Sequence, residues 1–162
     1  MKIKIKKKLL KESKSIDISQ GEGSVAFGVV HNNPKNIKTW LIKNGINQKI
    51  NLPLPIAFLN NINVEEEDRG QGIGTELLYD FEAEAGFHGA KSILLLAGLD
   101  EEQTQGFNLE QWYLNNDYEV LTKDGDGNPL MYKNLEEQWN TYLILNLKHG
   151  LSVHGKENFL IK

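Results

Sequence analysis

Three glycines spaced two apart, Gly70, Gly72 and Gly74, separate an extended apolar segment from an amphipathic one, and that junction limits what the chain can become. Upstream, Pro55 to Val64 reads as a strand. Downstream, Leu77, Leu78, Phe81 and Ala85 share one face of a helix predicted over Gly72 to Ala85. Glycines let the backbone take φ > 0 and bring its N–H groups close to a ligand. The unpaired N–H groups of the helix's first turn, with its dipole, then make an anion site, to which Thr75 adds a hydroxyl. Spacing narrows the anion. A dinucleotide loop needs Gly-x-Gly-x-x-Gly and a P-loop needs Gly-Lys-Ser/Thr; the chain offers neither and fits Arg/Gln-x-x-Gly-x-Gly/Ala instead.

The elements around this loop alternate in type. Strands are predicted at Lys2 to Leu10, Ser24 to His31 and Pro55 to Val64, with one helix between the last two. Asn33 can cap that helix, Pro34 suits its first turn, Ile37, Trp40 and Leu41 share a face, and Gly45 can close it. After the glycine loop come a strand at Ser92 to Ala97, a helix at Leu109 to Asn115, and strands at Tyr118 to Leu121 and Leu130 to Tyr132. The last two form a terminal hairpin. Its turn, Asp124 to Asn128, fails as a calcium loop, because Pro129 and Leu135 stand where a glycine and a glutamate are required. Asn134 with Glu137 makes a capping-box pattern that opens an appended segment, read as a helix, although Tyr142 to Leu145 is also dense enough to be a buried strand.

The run from Val64 through Glu65, Glu66, Glu67, Asp68, Arg69, Gly70, Gln71, Gly72, Ile73, Gly74 and Thr75 to Leu78 resembles the central motif of the GCN5-related N-acetyltransferases. The resemblance spans roughly residues 55 to 133. It implies that the amides of Arg69 to Thr75 hold the pyrophosphate of acetyl-CoA, with Ile62 and Val64 of the preceding strand also at the cofactor. It further implies a single α/β (α+β) domain, a mixed and mostly antiparallel sheet flanked by helices and splayed near the end of the Val64 strand. On this reading residues 1–133 are the acetyltransferase-like domain, with its motif-bearing core at 55–133, and 134–162 are a C-terminal extension packed on it. The family's second motif, an aromatic-Tyr-x-x-x-Gly-Phe stretch, is matched by Trp112 to Tyr118, which gives Tyr113 the general-acid position near the thioester sulfur. Asp117 stands where the family has glycine, and aspartate tolerates a left-handed turn. Gly106 stands where an asparagine usually contacts the coenzyme, which removes one expected contact. Asn108 with Gln111, and Phe107 with Trp112, are spaced as a capping box and a hydrophobic staple at the start of that helix.

Alternation on the strand before the loop puts Asn61, Asn63 and Glu65 on one face and Phe58, Ile62 and Val64 on the other. The polar set is expected to line the acceptor site, with Glu65 the candidate base. The acidic run Glu65 to Asp68 is expected to turn away from the pyrophosphate, towards solvent or an incoming amine. Arg69 is the only arginine in the chain, and its planar multi-donor head suits a place beside phosphate. The first eleven residues hold six lysines, so residues 12–162 carry −10 although the whole chain carries −4. Such a body suits a cationic acceptor and not a phosphate backbone, which argues against nucleic acid as partner. The lysines themselves read as an edge strand protected from pairing, with a nucleic-acid- or partner-binding arm as the alternative. With no cysteine there is no thiolate metal site or cysteine nucleophile, and the scattered histidines suggest no metal. No run is long and apolar enough for a membrane span, and a cytoplasmic protein, monomeric or homodimeric, is expected. The activity implied is acetyl transfer from acetyl-CoA to an amine by direct attack; the alternative is a non-catalytic acyl-CoA-binding or partner-binding protein on the same fold.

Overall fold

The computed structural model describes residues 13–98 and 107–136. Within them the elements run β1 (Lys14–Gln20), β2 (Ser24–His31), α1 (Pro34–Lys43), β3 (Ile56–Asn63), a 3₁₀ turn (Glu66–Asp68), α2 (Ile73–Phe87), β4 (Ser92–Leu96), α3 (Leu109–Asn115), β5 (Glu119–Lys123) and β6 (Pro129–Asn134). The six strands form one sheet in the order β1-β2-β3-β4-β6-β5, antiparallel at every junction except β3 with β4. The expectation of a mixed, mostly antiparallel sheet flanked by helices is met.

Helix α2 crosses one face of the sheet. Its Leu77, Leu78, Phe81 and Ala85 are buried with Ile16 of β1, Ala26 and Val30 of β2, and Ala57 and Leu59 of β3. Helix α1 covers part of the opposite face, where Ile37 and Leu41 pack with Ile56, Phe58, Leu94 and Leu130. As the sequence suggests, Asn33 caps α1 by accepting the Lys35 N–H at 2.9 Å, and Gly45 follows it with φ +71°. Burying these two apolar faces against one sheet is the main stabilising term of such a layered fold.

Strand β1 is not among the predicted strands, although Ser15 to Ser19 alternates and Gly21 and Gly23 mark the turn into β2. The strand expected at Lys2 to Leu10 and residues 137–162 of the extension lie outside the described residues. Of that extension, Leu135 is buried, its N–H bonds to the Lys91 carbonyl at 2.9 Å, and Asn134 accepts the Glu136 N–H at 2.9 Å.

One prediction about β3 is corrected. Phe27 of β2 pairs with Asn61, but the next residue, Gly28, pairs with Leu59, so Asn60 is an extra residue, a β-bulge. The bulge reverses the alternation. Phe58 therefore packs on the α1 side, whereas Ile62 and Val64 lie on the α2 side, and the three do not share a face. Gly28 is required beside the bulge, because a Cβ there would collide with the Phe58 carbonyl and the Phe81 ring.

Candidate functional site

The bulge coincides with an opening in the sheet. Strand β3 pairs with β4 only from Ile56 to Leu59, whereas Asn61 to Asn63 stay paired with β2. On the other side of the gap Leu96 and Ala97 remain bonded to β6 through Leu130 and Pro129. Beyond Leu59 the two strands diverge, and the backbone groups of Asn60 to Asn63 on the β4 side have no sheet partner among the described residues.

The glycine loop closes the top of this opening. Gly70 and Gly72 have φ of +77° and +81°, and a Cβ added to either would meet nothing within 4 Å. The sequence thus uses glycine where the chain turns left-handed and the space above it is open. Gly72 caps α2 with no side-chain bond, and the N–H groups from Gly70 to Thr75 find no acceptor among the described residues. Aligned donors at a helix start, with no side chain spent on them, constitute an anion site.

Arg69 is fastened beside it by Nε, which donates to the Val64 carbonyl at 3.1 Å, and Gln71 Nε2 donates to the Glu67 carbonyl at 3.2 Å. These bonds fold the loop back over the end of β3. Gly74 faces inward: a Cβ there would lie 3.4 Å from Val64 and 3.7 Å from the Trp112 indole. Val64, the loop and α3 therefore meet at one point.

The acidic run turns towards the β1–β2 hairpin. The Glu65 N–H donates to Ser24 Oγ at 3.0 Å, Ser24 Oγ donates to Asp68 at 3.4 Å, and the Glu65 carboxylate lies against Gly23. Of the predicted acceptor residues, Asn61 is exposed and Asn63 half-buried, on the face opposite Ile62 and Val64.

Tyr113 sits on α3, which starts where predicted. Asn108 accepts the Gln111 N–H at 2.9 Å, and Phe107 and Trp112 rings lie 6.2 Å apart. The capping box is only half formed, since Gln111 Nε2 bonds forward to Asn115 at 2.9 Å. Asp117 takes the left-handed turn, with φ +67°. The Tyr113 ring is held between Trp112 and Tyr118, at 4.8 and 5.4 Å between centroids, and the residue is 4% exposed. Burial pushes its phenol above the usual tyrosine range, so it stays protonated at neutral pH. Among the described residues its hydroxyl has no hydrogen-bond partner.

Beneath Tyr113 lies a buried polar cluster that sequence reasoning missed. Glu82 of α2 accepts from Lys133 Nζ of β6 at 2.9 Å and from the Tyr118 hydroxyl at 3.1 Å. Glu82 shares the buried helix face with Leu78 and Phe81, and a carboxylate there signals a buried partner, but no local pattern names Lys133.

A splayed mixed sheet, a glycine loop opening the long helix, and a tyrosine on the helix after the next strand now stand together. The architecture is the one that the loop motif's resemblance implies. No family model matches the chain, and no curated protein does. Among solved structures it is similar to the PaiA N-acetyltransferase of Thermoplasma acidophilum in complex with coenzyme A, at 18% identity and a TM-score of 0.42, over 67% of this chain and 52% of that one. It is also similar to an acetyltransferase of Bacillus cereus, at 18% identity and a TM-score of 0.45, over 76% and 73% of the two chains. A third is the ribosomal-protein-S18-alanine N-acetyltransferase of Escherichia coli, at 16% identity and a TM-score of 0.46, over 77% and 70%. The chain spans about half the length of the Thermoplasma protein.

Proposed function

We propose that the chain transfers an acetyl group from acetyl-CoA to an amine. The observation that carries this reading is the unused row of N–H donors from Gly70 to Thr75, set at the mouth of the β3–β4 opening. The pyrophosphate would lie over those donors with the Arg69 guanidinium beside it, and the pantetheine arm would run down the opening along Ile62 and Val64. Unpaired β3 backbone near the bulge supplies N–H groups to polarise the thioester carbonyl. The amine enters from the face carrying Asn61 and Asn63. Its nitrogen attacks the carbonyl carbon, the C–N bond forms, the C–S bond breaks, and the thiolate takes the Tyr113 hydroxyl proton. Glu65, at the end of β3, receives the amine's proton through water. Holding both reactants in the opening supplies the proximity that a bimolecular acyl transfer lacks in solution.

Mass spectrometry of the protein purified from cells, for co-purified CoA, followed by an amine screen with acetyl-CoA, tests this. Release of CoA coupled to formation of an N-acetyl product supports the reading. Binding of acetyl-CoA without turnover of any amine would leave a non-catalytic acyl-CoA-binding module, and no binding would refute both.

A further inference from the structure

Helix α1 covers only part of the sheet face opposite α2. Its edge is marked by Trp40, whose ring stacks on Phe58 at 4.5 Å and whose Nε1–H donates to Asn60 Oδ1 at 3.3 Å. Beyond that edge, the strand registers put Asp17 of β1 opposite Phe27 of β2, and Phe27 opposite Asn61 of β3. Their neighbours Ile16, Ile18 and Ala26 pack towards α2, so Asp17 and Phe27 project onto the opposite face, which no element among the described residues covers beyond Trp40. Phe27 is 41% exposed although its neighbour Ala26 is fully buried. The Asp17 side chain is exposed and in no ion pair among the described residues. The row ends at the bulge, where β3 parts from β4 and where the acetyl-transfer reading puts the reacting carbonyl.

We infer that the row Asp17, Phe27 and Asn61 is the floor of the acceptor site, and that it selects an acceptor with a second positive charge set away from the reacting nitrogen. This rests on the acetyltransferase reading. With strands about 4.8 Å apart, Asp17 stands roughly 10 Å from Asn61, and an extended carboxylate shortens that span by a few ångström. The reacting amine sits at the bulge, an apolar stem lies across the Phe27 ring, and the distal ammonium reaches the Asp17 carboxylate. The ring face also favours the cation through its quadrupole. An acceptor with one amine gains the stem contact alone.

The test uses linear α,ω-diamines and monoamines of matched length, spanning about four to ten carbons, with the parent, Asp17→Asn and Phe27→Ala. Acetyl-CoA affinity is measured by calorimetry on each protein. For the parent, kcat/KM should favour the longer diamines over matched monoamines by roughly three- to tenfold, the scale of an exposed ion pair with a cation–π contact. Asp17→Asn should bring that ratio close to unity, and Phe27→Ala should lower kcat/KM for both series, with acetyl-CoA affinity unchanged throughout. The same ratio in Asp17→Asn as in the parent overturns the inference, as does a parent that binds acetyl-CoA but acetylates no member of either series. A parent that fails to bind acetyl-CoA overturns the acetyltransferase reading itself.

Discussion

Lys133→Met is expected to destabilise the fold by breaking a buried ion pair from one side. The Lys133 and Glu82 side chains are 3% and 6% exposed and meet at 2.9 Å, and the ammonium also lies 5.5 Å from the centre of the Tyr118 ring. Methionine keeps the stem's volume and removes the charge, so among the described residues Glu82 is left with the Tyr118 hydroxyl alone as partner. Breaking a buried pair from one side typically costs about 3–5 kcal/mol. Part of this is relieved by protonation, because burial already raises the Glu82 carboxyl above its ordinary range against the pull of Lys133. The loss should therefore fall near the low end, about 3 kcal/mol. With a urea m-value of about 1–3 kcal/mol/M, the midpoint followed by tryptophan fluorescence should drop by about 1–3 M. Replacing both partners, Glu82→Leu with Lys133→Met, should recover stability to within about 1.5 kcal/mol of the parent, since well-packed apolar substitutes offset a buried pair. A single Lys133→Met variant within about 1 kcal/mol of the parent, or a double variant no more stable than the single, would refute this reasoning.

Glu82→Gln gives the pH arm of the same argument. The folded carboxyl is raised above its ordinary value of 4.5, so its contribution to stability is complete below that value and is lost as pH rises through the folded one. The parent should lose stability relative to Glu82→Gln as pH rises above the ordinary carboxylate value, and a gap that moves the other way in urea titrations would contradict it. Tyr113→Phe keeps the ring contacts with Trp112 and Tyr118, so acetyl-CoA affinity should hold while kcat falls by roughly 10²-fold, the scale of general acid catalysis. A kcat within about threefold of the parent would leave the tyrosine as packing. Asn108→Ala removes the acceptor for the Gln111 N–H and should cost about 1 kcal/mol in thermal or urea unfolding; no change would show that the cap is satisfied by solvent.

Local chemistry made much of this legible. Asn33 and Pro34 announce α1, Asn108 announces α3, and both caps are made by the atoms their sequence suggests, because an N-cap bond spans only two or three residues. The glycine loop is legible for the same reason: positive φ at Gly70 and Gly72 is a requirement of the backbone itself. The bulge at Asn60 is not. It depends on how Gly28 lets β2 approach β3, a contact between segments far apart in the chain, and it moves Phe58 to the face opposite Ile62 and Val64. Lys133 is opaque likewise, since it falls just past the strand predicted at Leu130 to Tyr132 and nothing local brings Glu82 beside it. Of the acidic run beside the loop, the structure accounts for Asp68, whose carboxylate accepts from Ser24 Oγ, while the Glu65 bond to Ser24 is made by its backbone N–H.

Calorimetric titration of acetyl-CoA into the parent, Gly72→Val and Gly89→Val tests the anion site directly. Gly72 and Gly89 have φ of +81° and +84°, and a Cβ at either meets nothing within 4 Å, so both variants bear similar backbone strain at opposite ends of α2. Only the Gly72 side chain would enter the space above the loop's N–H groups. Parent and Gly89→Val should bind acetyl-CoA alike, and a folded Gly72→Val should bind at least about tenfold more weakly, a loss of about 1.4 kcal/mol. Equal affinity in all three folded proteins, or no binding by the parent, would contradict the account.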